Sequence, residues 1–164
     1  SSLELYQGAE LLWTENTPRL LREGKARTMA GTKYAMIEFS PTDSKDRIFD
    51  ALQKVAVAGF VPIIAHMERY PAIGKISQVK EMKSRFRAMV KINARSLTRK
   101  QPLMRRSFFD SLFKDGHVDF VATDTHSMPG RETCMTAGMT ALRERFGDEM
   151  EEKIRLMPNI LLGE

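Results

Sequence analysis

Short apolar runs alternate with helical periodicities along most of this chain, and no other feature narrows the possible folds as far. Val61 to Ala65 is almost continuously apolar, as in a strand buried on both faces. Lys33 to Phe39, Met89 to Asn93 and Val118 to Ala122 are further short strand-like runs. Between them, apolar residues recur at helical spacing. Ile48, Phe49, Leu52, Val55 and Ala56 form one such face and stop at Gly59. Val79, Met82 and Phe86 follow a Ser77 cap, and Leu103, Met104, Phe108 and Leu112 lie between Pro102 and Gly116. Met135, Met139, Leu142 and Phe146 precede Gly147. A first strand is expected over Leu3 to Ala9, and a short helix from Thr17-Pro18 to Gly24. A last helix is expected from Asp148 to Leu156, before Pro158. Strand–helix alternation of this kind builds a parallel sheet, so the expected class is α/β with about five β/α units. The 164 residues show no linker, repeat or low-complexity segment and are read as one domain, 1–164.

Composition removes several function classes. Apolar residues make up 42% and charged residues 29%, an ordinary globular balance. No segment approaches the roughly 18 apolar residues of a membrane span, and the start does not resemble a signal peptide. The single cysteine, Cys134, allows no intrachain disulfide, which suits a reducing cytoplasm. It is followed six positions later by Thr140, so the Cys-x5-Arg phosphate loop of cysteine-dependent phosphatases is excluded. The many methionines at helical positions read as core filler. The net charge of +5 raises the question of nucleic acid. Lys and Arg are interleaved with Asp and Glu, however, so nucleic acid is not the expected partner. The densest basic stretch holds Arg95, Arg99, Lys100, Arg105 and Arg106, and an acidic or phosphorylated substrate accounts for it equally well.

The informative polar residues stand where the strands are expected to end. These are Glu10, Glu38, His66, Asn93 and the pair Asp124-Thr125-His126. In parallel α/β folds the C-terminal strand ends gather at one rim, where chemistry occurs. Each residue alone has an ordinary structural role; their coincidence at five strand ends is the signal. Carboxylates and imidazoles without thiols suit Zn²⁺, Mn²⁺ or Fe²⁺. Such a set can hold two ions that clamp a phosphoester.

Several segments occur in a recognisable order. They are Gly8-x-Glu10, Tyr34-Ala35-Met36-Ile37-Glu38-Phe39 and Pro62-Ile63-Ile64-Ala65-His66-x-Glu68-Arg69-Tyr70, then Asn93-Ala94-x-Ser96-Leu97 and Asp124-x-His126-Ser127. Together they resemble the PHP-type (polymerase and histidinol phosphatase) protein-tyrosine phosphatases of bacterial capsule and exopolysaccharide loci. The resemblance implies a distorted (β/α) barrel of seven units, here incomplete at its N-terminus. It also implies a site for up to three divalent ions, usually Mn²⁺. Glu10 would bridge ions, Glu38 and His66 would complete one shell, and Asp124 and His126 would serve the others and assist proton transfer. Arg69 and Arg131 would grip the substrate phosphate. The implied substrate is phosphotyrosine on a partner protein, such as a bacterial tyrosine autokinase. A small phosphoester such as histidinol phosphate, or a non-catalytic domain without metals, are the alternatives. The family's opening His-x-His is absent here: His66, His117 and His126 are the only histidines. The expectation is a chain lacking the N-terminal third of the family's domain.

Overall fold

A computed structural model of the chain describes residues 4–125 and 134–163. Five parallel strands form one sheet in sequential order: β1 (Glu10–Leu12), β2 (Tyr34–Glu38), β3 (Val61–Ile64), β4 (Met89–Asn93) and β5 (Phe120–Ala122). Among the described residues the sheet is not closed into a barrel. The helices are α1 (Thr17–Arg22), α2 (Lys45–Val57), α3 (Ile76–Phe86), α4 (Ala94–Thr98), α5 (Leu103–Lys114), α6 (Met135–Phe146) and α7 (Asp148–Leu162). Sequential parallel strands joined by right-handed crossovers place the connecting helices on one side of the sheet.

Strand alternation divides the core accordingly. Ala35, Ile37, Ile64, Val90 and Ile92 point to the helical side and pack with Ile48, Leu52 and Val55 of α2, Val79 and Met82 of α3, and Phe109 and Leu112 of α5. Met36, Ile63 and Met89, paired in register with one another, point to the opposite face, where Tyr34 and Phe120 join them and Met157 and Leu161 of α7 cover them. Glu10 pairs with Met36, and Lys91 with Phe120, so both lie on this second face. The face is thus apolar at one end and polar at the other.

Several elements begin or end elsewhere than the residue pattern predicts. The first strand is Glu10–Leu12, not Leu3 to Ala9. Leu5 and Tyr6 are exposed and bury nothing that would hold a ladder, whereas Trp13, directly after the strand, is buried. Glu10 therefore opens its strand. The third helix starts at Ile76, because Gln78 Oε1, and not Ser77, accepts from the Lys75 and Gly74 backbone N–H groups at 2.9 and 3.0 Å. Leu103 and Met104 are 87% and 95% exposed, since the first turn of α5 projects beyond the core that Phe108 and Leu112 enter. The last helix runs through Pro158 to Leu162, with Ile154 and Met157 buried one turn apart on the same face. The short α4 follows β4 directly and packs on α6 so closely that Gly138 faces Ala94. A Cβ at 138 would lie 2.8 Å from the Ala94 Cβ and 2.9 Å from its carbonyl oxygen.

Candidate metal centre

Glu10, His66 and Asp124 come from β1 and from the ends of β3 and β5, and their ligand atoms all lie within 4.8 Å of one another. Backbone geometry brings two of them there. Ile63 faces the α7 side and Ile64 the helical side, so strict alternation would turn His66 away with Ile64. Instead His66 adopts a left-handed conformation, φ 54°, ψ 45°, which ends the strand and re-aims the imidazole. Asp124 also has φ 54°. Non-glycine residues in this region cost about 1–3 kcal/mol and cluster at functional sites. Here both flank the same point.

His66 is 1% exposed, and its two ring nitrogens have different surroundings. Nδ1 lies 2.8 Å from Asn93 Oδ1, which also accepts from Lys91 Nζ at 3.0 Å. With Nδ1–H donated to Asn93, Nε2 presents its lone pair toward Glu10 Oε1, with which it is in direct contact, and toward Asp124 Oδ1 at 3.9 Å. That is the ligating form of the ring, held by the kind of outer partner that metal-bound histidines use. A lone pair set against a carboxylate needs a cation or a proton between them. The residues present therefore fit a divalent ion with N and O donors.

With a proton in place of an ion between Nε2 and Oε1, burial would raise the Glu10 pKa, but the hydrogen bond from the ring and the positive charges of the ring and Lys91 outweigh it and hold the carboxyl below its ordinary value. Lys91 is 2% exposed, and burial lowers its pKa against the opposing pull of Glu10 and Asp124. Its ammonium sits 3.9 Å from Glu10 Oε2 and 3.2 Å from His66 Nδ1.

Arg69 follows in the short 3-10 turn Met67–Arg69 and donates to Asp124 Oδ2 at 3.1 Å; nearly half its side chain remains exposed. Glu68 points the other way. Its Oε1 accepts from the Asn93 backbone N–H at 3.1 Å and the Ser96 hydroxyl at 2.8 Å, tying this turn to β4 and α4. Tyr70 locks the floor: its hydroxyl donates to the Ala65 carbonyl at 2.6 Å and accepts from the Phe39 N–H at 3.2 Å.

Among the residues expected from sequence, Glu10, His66 and Asp124 are brought together with Arg69 alongside. Glu38 ends β2 level with Leu12, two residues beyond Glu10, and stands outside that group of three. His126 and Arg131 lie outside the described residues. Lys91 was missed as a site residue, and Asn93 was singled out at its strand end without a role. Their signal was available: two polar side chains at alternating positions of an otherwise apolar strand, Met-Val-Lys-Ile-Asn, share one face.

Comparisons with known proteins agree with the architecture. The tyrosine-protein phosphatase CpsB of Streptococcus agalactiae serotype V is 25% identical over 163 residues, covering 93% of this chain. YwqE of Bacillus subtilis, also named a tyrosine-protein phosphatase, is 25% identical over 161 residues and covers 98%. Crystal structures of YwqE and of CpsB from Streptococcus pneumoniae, described as unique metal-dependent tyrosine phosphatases, include a chain that superposes with a TM-score of 0.82 at 22% identity, over 98% of this chain. The chain spans 65% of the CpsB length and 63% of the YwqE length. The family model for capsular polysaccharide synthesis, CpsB/CapC, matches residues 1–160, and the chain belongs to that family.

Proposed function

We propose that this chain carries the catalytic centre of a divalent-metal-dependent phosphomonoesterase whose substrate is phosphotyrosine in a protein. The observation that carries the reading is the meeting of Glu10, His66 and Asp124 around a point toward which a lone pair and two carboxylates are turned. The relatives named tyrosine phosphatases supply the substrate class.

Glu10, His66 and Asp124 hold the metal, and Glu38 and His126 extend the set to further ions, up to three, with Mn²⁺ the expected occupant and Zn²⁺ or Fe²⁺ the alternatives. A divalent ion bound there supplies Lewis acidity, easing deprotonation of the attacking water and offsetting charge on the phosphoryl oxygens. The protein does the rest. Asn93 keeps His66 in its ligating tautomer. Arg69, half-exposed at the lip, exchanges Asp124 for the non-bridging oxygens of the phosphate, a match of planar donors to a tetrahedral anion. Arg131 is assigned the same duty. Asp124 or His126 takes the proton from the nucleophile and delivers it to the leaving phenol. The expected partner is a phosphotyrosine-bearing protein, such as a tyrosine autokinase, in the cytoplasm. No helix among the described residues is long and apolar enough to cross a membrane.

The test is hydrolysis of p-nitrophenyl phosphate, a phosphotyrosine peptide and histidinol phosphate by the Mn²⁺-loaded chain, with and without chelator. Phosphotyrosine is expected to be the best substrate, with Glu10→Ala and His66→Ala abolishing turnover while leaving the far-UV spectrum intact. Preference for histidinol phosphate would move the reading to a small phosphoester. Fewer than about 0.2 ions per chain with no chelator-sensitive turnover would make this a domain without catalysis.

A further inference from the structure

Beside the metal centre the molecule carries a run of cations that no structural role absorbs. Arg69, Asn93, Arg95, Arg99, Thr123 and Asp124 line a cleft of ≈ 160 Å³ that opens from the centre itself. Arg99 also lines a second hollow, of ≈ 410 Å³, with Lys100, Arg106 and Arg145. Arg99 thus belongs to the walls of both depressions, which adjoin along the segment between α4 and α5.

The acids in these walls are already engaged. Asp124 holds Arg69 at 3.1 Å, and Asp110 holds Arg145 at 2.8 Å. Arg95, Arg99, Lys100 and Arg106 have no ion-pair partner among the described residues. Neighbouring Arg105 shows the contrast: it is drawn inward and donates to the Ile73 carbonyl at 2.9 Å, bracing the turn. Four unpaired like charges in adjoining clefts repel one another and contribute nothing to the core. They repel divalent cations as well, so this is no extension of the metal site. What they supply is a focused positive potential leading to Asp124, with guanidinium groups suited to bidentate contact with a carboxylate.

We propose that this trough is a second anion subsite, which seats an acidic side chain of the protein substrate next to the phosphorylated residue. The inference rests on the phosphatase reading for the identity of the neighbouring residue and goes beyond it in predicting sequence preference. The smaller cleft has room for one carboxylate between Arg95 and Arg99. The larger hollow takes the next acidic residue of an extended peptide. A phosphoester without flanking acids meets only the metal centre and the arginines that grip its phosphate.

The experiment is fluorescence anisotropy with two labelled peptides, each bearing a non-hydrolysable difluoromethylphosphonate in place of the tyrosine phosphate. One has Glu and Asp on both sides, and the other has Gln and Asn. In Mn²⁺ and about 0.05 M salt the acidic peptide is expected to bind at least about tenfold more tightly, and the difference is expected to shrink toward unity near 0.5 M salt. The double variant Arg95→Gln/Arg99→Gln should lose the preference. The charge-matched pair Lys33→Gln/Lys80→Gln, exposed residues that line neither cleft, should keep it. Equal binding of the two peptides, no binding of either, or a preference that survives in Arg95→Gln/Arg99→Gln would overturn the subsite. So would a short single-stranded RNA of equal charge that competes as well as the acidic peptide. Hydrolysis of p-nitrophenyl phosphate separates the two ideas. Turnover without peptide preference leaves the phosphatase and removes the subsite. An Arg95- and Arg99-dependent preference without turnover keeps the subsite and removes the phosphatase.

Discussion

Lys91→Gln is the perturbation that asks most of the proposed centre. The Lys91 ammonium is buried among the very groups assigned to the metal, 3.9 Å from Glu10 Oε2, 3.2 Å from His66 Nδ1 and 3.0 Å from Asn93 Oδ1. Two unit charges about 4 Å apart interact by about 4 kcal/mol at an effective dielectric of 20. That attraction holds the Glu10 carboxylate to the protein's own cation, in competition with any ion Glu10 would ligate. A divalent ion ligated by Glu10 and His66 also meets the ammonium's repulsion directly. Glutamine keeps a donor for Asn93 Oδ1 and removes the charge. If only a third of the 4 kcal/mol reaches the ion, the gain is ~1.4 kcal/mol, or about tenfold in affinity. The assay is calorimetric titration of Mn²⁺ into the metal-free wild type and Lys91→Gln, with far-UV circular dichroism to show that both are folded. Tighter binding by the variant is the expected result. A folded variant that binds Mn²⁺ equally or more weakly would refute the reasoning, because it would mean that Lys91 orients Glu10 rather than competing for it.

Tyr70→Phe removes the hydroxyl that joins the Phe39 N–H to the Ala65 carbonyl, leaving both without this partner in the interior. The expected loss is ~2 kcal/mol in urea unfolding, with a Tm lower by about 4–8 °C, and an unchanged midpoint would count against the assigned role. Gly138→Ala drives a methyl into Ala94 across the α4–α6 contact and should cost about 1–3 kcal/mol by the same measurement, although alanine is the better helix former. Burial first, then the nearby positive charge of Lys83, lowers the His117 pKa below 6.5. As pH falls below 6.5, the unfolded chain takes up a proton that the folded chain refuses, so stability falls until the pH has passed the folded-state value. His117→Gln should flatten that part of the stability–pH curve, and an unaltered slope would dismiss the contribution.

How much of this was legible in the residues depended on what each residue had to bury. The strands β2, β3 and β4 were readable because they place apolar side chains in two cores at once, and the α2 face was readable because it packs on only one side. The first strand was misplaced because an edge strand of three residues buries little, and Leu5 gave apolar character without burial. The extent of α7 was missed because a proline marks a local cost, while Met157 and Leu161 are held by a sheet far away in sequence.

The site divides in the same way. Ligand-type residues announce themselves by kind, so Glu10, His66 and Asp124 could be picked out before any fold was known. Their gathering at one rim followed from their places at the strand ends, but the aim of two of the side chains did not, because it depends on left-handed residues whose φ near 54° is written in no side chain. A histidine continuing β3 in register would have pointed among the helices and been one more core imidazole. The turn at His66 persists because its surroundings compel it: Tyr70 pins the Ala65 carbonyl on one side, Glu68 ties the following turn to Asn93 and Ser96, and Asn93 receives the ring. All four of those partners, Glu68, Tyr70, Asn93 and Ser96, belong to the short motifs around His66 and Asn93. The stretch from Ala65 to Tyr70 is therefore a device for bending one strand end, and its recognisable spelling follows from the hydrogen bonds that the bend requires.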